Sequence, residues 1–393
     1  MPRYRAQRRA IRPMYMLGSL RKHEPALDIA IDRIVDSVRG LQGGSVDLRE
    51  WMHASVVECL GAVALGGWSS GYLDLRSDCG TSAHAIMSWR RKSVLGLFPR
   101  AVVFGMVSKS FGRIFNKIWG TVHGTPEGFR PFFPAVQRKI SRRIGQAMSG
   151  NAQHRRNTSN VASPDLLDEL IGLHMTRPTE FPERYLRRMA MTNFGAGHET
   201  MTSAMVSILS MIGTHPLAQA KIHEELEAIV PTGTCMTHDH VSQLGYTMAC
   251  IKEAQRLYPV IGMSMSRTVP SDKQLELHGY VFPPGTTVGC VPAALHRNQD
   301  IFGLDTDEFR PERWLVADQD TRRRMEHVNL TYGGGARTCP GKHLAKLIVY
   351  KLAARLCEEF EIIVDRPDDK DVKYYFLAIL SESKARFLPR LKV

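Results

Sequence analysis

Apolar residues recur at helical spacing along most of the first 260 positions. In the segment 24–42 they fall on one helix face, at Leu27, Ile31, Ile34, Val35 and Val38. Such a stripe is typical of an amphipathic helix, and Gly43 and Gly44 end it. A second helix is predicted over 48–65. The segment 184–214 is apolar nearly all round, which predicts a helix through the centre of the protein.

The other patterns complete a mainly α fold with a small β portion. Further helices are predicted over 138–148, 165–174, 216–230, 238–258 and 342–360. Alternating residues and turn signals predict strands in 260–295 and after 360, with a brief strand at 45–48. The segment 297–329 is predicted to be loop-rich. We expect one domain over 1–393, with a mobile linker at 149–163, where Ser, Asn, Gly and Arg dominate.

Composition narrows the class of protein. The chain has 393 residues, 43% of them hydrophobic, and a net charge of +13. A basic surface favours an acidic protein, an anionic membrane face or nucleic acid, but no nucleic-acid-binding motif accompanies it, so we expect no nucleic acid. The seven cysteines form no CxxC pair, which argues against a disulfide framework or a zinc knuckle. The basic N-terminus has no apolar core of a signal peptide, and the longest apolar runs are too short to span a bilayer.

The segment Thr331–Ala345, called the cysteine loop below, carries the most distinctive pattern. It has three consecutive glycines, an arginine, and one cysteine immediately before an apolar helix. A helix N-terminus favours an anion, here a thiolate, and a thiolate can ligate haem iron. A Cys-Pro-Gly sequence alone is more often a glycine turn with a structural cysteine.

The full string is more specific, because Tyr332, Gly335, Arg337, Cys339 and Gly341 stand at the spacing of the haem-binding loop of the cytochrome P450 family. The chain is therefore similar to that family, which usually has Phe at the position of Tyr332. The resemblance implies haem b, with its iron axially ligated by Cys339.

A second stretch of the family pattern lies in the predicted central helix. Ala196-Gly197-His198-Glu199-Thr200 resembles the oxygen-binding stretch of the family. There the acid and the alcohol, here Glu199 and Thr200, guide protons to dioxygen. Ala196 and Gly197 would let a flat ligand or a diatomic molecule approach. Taken alone, the stretch is better explained by a helix bend with a solvated Glu199.

A third set of residues resembles the structural network of the family. Glu253 and Arg256 lie three residues apart and share a helix face, and Arg313 follows in a Pro-Glu-Arg segment. In the family these residues form a buried Glu–Arg–Arg network beneath the cysteine loop. On a surface, the same pair would be ordinary and weak.

The resemblance also assigns partners for the two haem propionates. Arg267 and Arg337 are expected to pair with them, since guanidinium groups recognise carboxylates. Arg8 follows Tyr4 at the spacing of the family's Trp-x-x-x-Arg pair and is a further candidate, and His296 is a weaker one. The alternative for each is a solvated arginine or a satisfied core histidine.

What the resemblance implies is a haem-thiolate monooxygenase that inserts one oxygen atom from dioxygen into a lipophilic molecule. The local sequences at 15–20 and 237–268 resemble those of fungal family members in secondary metabolism. Electrons would come from NADPH–cytochrome P450 reductase, with basic residues at Lys342, Lys346 and 322–324 available for docking. The family's N-terminal anchor and first β/α region are expected to be missing. Members typically face the cytosol on the endoplasmic reticulum membrane, so we expect this chain to be cytosolic or peripherally membrane-bound.

Two alternatives stay open at this point. The first is a truncated, catalytically inactive relative with weak or no haem binding. The second is rearrangement of a peroxide without a reductase, which Thr200 disfavours because such members tend to lose this threonine.

Overall fold

The computed structural model describes residues 2–88, 110, 126, 128–149, 165–231, 234–316, 318–365, 372–380 and 382–390. Apart from Ser149, the predicted linker at 149–163 lies outside the described residues. The predicted fold class, mainly α with a small β portion, is confirmed.

Helices form most of the described chain. Those of six residues or more are α1 (Pro2–Ile11), α2 (Glu24–Arg39), α3 (Leu48–Leu65), α4 (Phe133–Met148), α5 (Leu166–Thr176), α6 (Glu183–Gly213), α7 (Pro216–Ile229), α8 (His238–Gln243), α9 (Gly245–Leu257), α10 (Gln319–Val328) and α11 (Lys342–Glu359). Shorter helical turns lie at Arg12–Tyr15, Leu17–Leu20, Arg21–His23, Tyr72–Leu75, Pro292–Leu295, Gln299–Phe302, Arg313–Val316 and Gly335–Arg337.

The strands are short and antiparallel. They are β1 (Val46–Asp47), β2 (Arg267–Thr268), β3 (Leu275–Leu277), β4 (Tyr280–Phe282), β5 (Thr287–Val288), β6 (Phe360–Asp365), β7 (Lys373–Tyr374), β8 (Ala378–Ile379) and β9 (Lys384–Pro389). One sheet has the order β1-β9-β6, and the pairs β2–β5, β3–β4 and β7–β8 stand apart. Val46 pairs with Ala385, and Ile362 with Phe387, so the sheet joins the early helices to the C-terminal end.

Local sequence explains where the central helices begin and end. Asp47 caps α3 by accepting a hydrogen bond from the amide of Glu50, and Gly66 ends it in the left-handed region at φ 61°. The helix packs closely on the chain that follows it, because a Cβ on Gly61 would lie 2.0 Å from the carbonyl oxygen of Trp68.

The central helix α6 packs against α3, α9 and α11. From Met201 to Ile212 every side chain is buried, as its apolar sequence predicts. The N-terminal half differs, since Ala196 is exposed and Thr200 is half-buried. This half therefore presents one face of small residues outside the hydrophobic core.

The segment 297–329 contains more helix than predicted. The helix α10 begins after Asp318, whose side chain accepts hydrogen bonds from the amides of Asp320 and Thr321. Its only buried residue is Met325. Because a helix that buries one side chain leaves no apolar repeat in the sequence, periodicity did not reveal it.

Candidate active site

Backbone geometry fixes the shape of the cysteine loop. Gly333 and Gly335 take positive φ values of 71° and 58°, which residues with a side chain rarely adopt. The amide of Cys339 then donates to the carbonyl of Tyr332 at 2.8 Å and closes the loop. Cys339 is exposed, immediately before the start of α11. The loop therefore presents one thiol at its rim.

The pKa of the Cys339 thiol is raised, contrary to what a helix N-terminus alone predicts. Removal from water by the surrounding backbone raises it, and this outweighs the Gly341 amide hydrogen bond and the charges of Arg8 and Lys342, which lower it. A metal ion displaces a thiol proton on binding, so such a group becomes a thiolate when it ligates iron.

Arg8 holds the loop from the side of α1. Its guanidinium donates to the carbonyls of Ala336 at 2.9 Å and Thr338 at 2.6 Å. A cavity of about 340 Å³ lies beside it, lined by Arg8, Ile11, Arg12, Tyr15, Met16, Thr338, Cys339, Pro340, Lys342 and His343. Cys339 therefore borders a depression whose polar groups are mainly basic.

The predicted structural network forms in the described chain. Glu253 is fully buried and accepts hydrogen bonds from Arg256 at 2.9 and 2.8 Å and from Arg313 at 2.8 Å. The indole of Trp314 adds a hydrogen bond at 2.9 Å, which the sequence did not predict. Arg256 also donates to the carbonyl of Thr306 at 2.6 Å. The structure thus brings Glu253, Arg256 and Arg313 together.

His296 joins this network to the cysteine loop. Its Nε2 accepts the amide of Leu330 at 2.8 Å, and its Nδ1 lies 3.2 Å from the carbonyl of Arg256. Burial lowers its pKa to about 4, which keeps the ring neutral. His296 is fully buried and satisfied, which is the alternative that the sequence left open for it.

Tyr332 anchors the start of the loop. Burial raises its pKa well above the ordinary value, and its side chain interacts with Gln255 and Tyr350. The ammonium of Lys346 lies 5.8 Å from the centre of the Tyr332 ring and 5.6 Å from that of Tyr350. The hydroxyl that distinguishes Tyr332 from the usual Phe therefore has polar neighbours.

Glu199 and Thr200 lie on different sides of α6. Glu199 is 2% exposed and forms an ion pair with Arg49 of α3, so a solvated Glu199 is excluded. Thr200 is half-buried, and its hydroxyl donates to the carbonyl of Ala196 at 2.7 Å. A Cβ on Gly197 would lie 3.3 Å from Leu60, so the close approach that this glycine permits is to α3.

The two predicted propionate partners are exposed arginines. Arg267 lies on β2 and donates to the carbonyl of Ser266 at 2.8 Å, and Arg337 ends the helical turn of the cysteine loop. Sequence reasoning missed Arg49 as the partner of Glu199. The signal was present, because Arg49 and His53 interrupt an otherwise buried apolar helix.

These residues fit a flat prosthetic group with two carboxylates and a thiolate-bound metal. Cys339 offers one exposed thiol, and Arg267 and Arg337 offer guanidinium groups. Among the described residues, a Cβ on Gly335 would meet no atom within 4 Å, so the loop leaves open space there. The donor set and the open glycine face match haem.

The mainly α architecture and the cysteine loop together match those of haem-thiolate proteins. The cytochrome P450 family model matches residues 1–388, so the chain belongs to the cytochrome P450 family. A cytochrome P450 monooxygenase, sdnT of Sordaria araneosa, is 48% identical over 99% of this chain and 73% of its own length. A pisatin demethylase of Fusarium vanettenii is 27% identical over 99% of this chain and 72% of its own length.

The fold is shared with a solved structure. The crystal structure of the cytochrome P450 CYP102L1 superposes with a TM-score of 0.73 at 19% identity, covering 99% of this chain and 82% of that one. The family and the 48% identical relative assign an oxidoreductase of the monooxygenase class, with haem and a cysteine thiolate as the family's cofactor arrangement. They favour an active monooxygenase over an inactive relative.

Proposed function

We propose that Cys339 is the axial ligand of haem b and that this chain oxidises a lipophilic small molecule. The observation that carries the proposal is the exposed Cys339 at the end of a loop shaped by Gly333 and Gly335 and supported by Arg8. When bound, the haem activates dioxygen and delivers one oxygen atom to the substrate. Arg267 and Arg337 hold the propionates.

Thr200 and Glu199 handle the protons that the reaction consumes. The Thr200 hydroxyl lies on the half-exposed face of α6, where a bound dioxygen molecule is expected, with Ala196 beside it. Glu199 passes protons to Thr200 from the buried side of the same helix turn. A positioned acid or alcohol typically contributes 10²–10⁴-fold to a proton-transfer step.

Electrons come from NADPH–cytochrome P450 reductase, which docks on the basic side of the cysteine loop. The basic groups that line the cavity beside Cys339 support this, because an acidic partner surface would be attracted to them. Lys346 stands one helix turn beyond Lys342. Electron transfer is therefore expected to slow as salt concentration rises.

The proposed lipophilic substrate of a fungal secondary pathway follows the family resemblance of the sequence, and the 48% identical relative from Sordaria araneosa is a fungal cytochrome P450 monooxygenase. Among the described residues, no helix is long and apolar enough to cross a membrane. The β3–β4 hairpin exposes Leu277 by 45%, Tyr280 by 72% and Val281 by 58%. We assign this hairpin a peripheral contact with the cytosolic face of the endoplasmic reticulum membrane.

Replacing Thr200 with alanine tests the proposed chemistry. With the holoprotein, reductase and NADPH, Thr200→Ala should keep its haem but release more hydrogen peroxide for each NADPH consumed. Thr202→Ala is a matched control. The Thr202 hydroxyl also donates at 2.7 Å to a carbonyl four residues earlier in α6, that of His198, but Thr202 is fully buried. Equal peroxide yields from both variants and the wild type would exclude the role of Thr200.

A further inference from the structure

A buried polar cluster surrounds Glu199 where α3 crosses α6. Its members are Arg49, His53, Asp78, His198 and Glu199, called the α3–α6 cluster below, and none is more than 7% exposed. Glu199 Oε2 is paired with Arg49, whereas Glu199 Oε1 has no hydrogen-bond partner among the described residues. That oxygen lies 3.7 Å from His53 Nε2 and 3.8 Å from His198 Nε2.

The surroundings decide which imidazole is neutral. The Nδ1 of His198 lies 2.7 Å from the carbonyl of Phe194, and a carbonyl can only accept, so Nδ1 carries the hydrogen. The pKa of His198 is lowered to about 4, mainly by burial and also by the charges of His53 and Arg49, which together outweigh the opposing charge of Glu199. His198 is therefore neutral at pH 7, with a lone pair on Nε2.

One additional proton would make the α3–α6 cluster neutral. With neutral imidazoles, Arg49 contributes +1 and Asp78 and Glu199 contribute −1 each, which leaves −1 in a buried site. Burial alone would raise the pKa of Asp78, but contact with His53 and hydrogen bonds from Ser82 outweigh it and hold the pKa below its ordinary value. His53 Nδ1 lies 3.0 Å from Asp78 Oδ2.

Neighbouring charged groups have their own partners. Glu50 accepts from Ser77 and from the amide of Asp78 at 3.0 Å. Glu58 accepts from the amide of Ser70 at 2.8 Å. On the remaining side the rings of Phe132 and Phe133 pack on His198, with centroids 5.3 and 5.1 Å away. The proton that balances the cluster therefore belongs on His53, between two carboxylates.

We propose that His53 is the proton donor behind Glu199 and that the α3–α6 cluster supplies protons to the reaction at Thr200. The proposal rests on the proposed function. In the step, the 3.7 Å between His53 Nε2 and Glu199 Oε1 first closes to hydrogen-bond distance. The Nε2–H bond then breaks, an O–H bond forms on Glu199 Oε1, and no electrons are transferred. The neutral ring keeps its hydrogen on Nδ1, toward Asp78, so the proton that it regains from solvent returns to Nε2. Each turnover takes two protons from solvent and two electrons from the reductase.

The same atoms invite a second explanation. The ligand atoms of His53, His198 and Glu199 lie within 4.8 Å of one another, as they would around a divalent metal ion. The guanidinium of Arg49 on the same carboxylate repels such an ion. We therefore argue for the proton and make zinc an outcome of the test.

Nitrogen-15 NMR of the histidine rings tests where the proton lies. The ferrous carbon monoxide form of the ¹⁵N-histidine-labelled holoprotein is diamagnetic, and loss of one signal in His53→Gln assigns His53. We expect an imidazolium at His53 at pH 7. Glu199→Gln should turn it neutral because a negative charge is removed, whereas Arg49→Gln should raise the pKa of His198. A neutral His53 in the wild type overturns the proposal, as does one zinc ion per chain by mass spectrometry.

Peroxide release tests the supply of protons. His53→Gln should slow the proton-dependent step by about 10²-fold, the lower end for loss of a positioned donor. Hydrogen peroxide should then become the main product of NADPH oxidation, in place of oxidised substrate and water. His174→Gln is the control, since it removes an imidazole that lies outside the cluster, with its Nδ1 2.7 Å from the carbonyl of Phe181. Should Thr200→Ala release peroxide while His53→Gln does not, this inference fails and the proposed function stands.

Discussion

Replacing Glu253 with glutamine removes the central acceptor beneath the cysteine loop. The carboxylate accepts hydrogen bonds from the side chains of Arg256, Arg313 and Trp314, and one from the amide of Arg310 at 3.2 Å. Glutamine has the same shape but carries no charge and turns an NH₂ group toward these donors. The variant therefore removes the charge and half of the acceptors while it leaves the packing unchanged.

The magnitude follows from the charges in the network. The buried carboxylate of Glu253 offsets one of the two buried charges of Arg256 and Arg313. Asp305, which is 24% exposed and also pairs with the exposed Arg310, offsets part of the other. Glu253→Gln leaves +1 uncompensated among groups that are 0–3% exposed. Breaking a buried pair in this way costs about 3–5 kcal/mol, against roughly 5–15 kcal/mol for a whole domain. We therefore expect Glu253→Gln to lower the free energy of unfolding by about 3–5 kcal/mol.

Urea unfolding of the holoprotein, followed by circular dichroism and by the haem absorbance, measures the loss. The matched control is Glu312→Gln, because Glu312 pairs with Lys221 at 2.7 Å but is 38% exposed, and an exposed pair contributes about 0–1 kcal/mol. If both variants lose the same free energy, the buried network does not stabilise the loop and our account of Glu253 is wrong.

Two further predictions concern pH and packing. Because burial holds the pKa of His296 at about 4 and an unfolded histidine titrates near 6.5, the unfolded state takes up the proton first, and about 3 kcal/mol of stability present above pH 6.5 is lost as the pH falls to 4. His296→Gln should flatten that slope in urea titrations at pH 7 and 4.5, and an unchanged slope would contradict the assignment. Gly61→Ala should destabilise by about 1–3 kcal/mol or more, since its Cβ would meet the carbonyl of Trp68 at 2.0 Å. In Gly172→Ala, where the Cβ meets nothing within 4 Å, stability should rise by up to about 1 kcal/mol in the same assay.

Most helices could be predicted because they bury one face or all faces. The bounds of α3 follow from its cap at Asp47 and from Gly66, both visible in the sequence. The polar helix α10 could not be predicted in this way, since its stability rests on an N-terminal cap and one buried methionine. Apolar periodicity in a sequence reflects which side chains are buried, so a helix that buries few side chains has no such periodicity.

Contacts across large sequence distances were predictable only where a resemblance supplied them. Glu253 and Arg313 are 60 residues apart, and the family pattern pairs them. Arg49 and Glu199 are 150 residues apart, and no local pattern indicates that α3 crosses α6 at that point. The same holds for Arg8, which reaches carbonyls of the cysteine loop 328 and 330 residues away.

The spectrum of the reduced holoprotein under carbon monoxide tests the central assignment most directly. Thiolate ligation by Cys339 predicts a Soret band shifted strongly to the red of that of histidine-ligated haem. The band should vanish in Cys339→Ala and persist in Cys290→Ala, a control at another exposed cysteine. A histidine-like band in the wild type, or a shifted band that survives Cys339→Ala, would contradict Cys339 as the ligand.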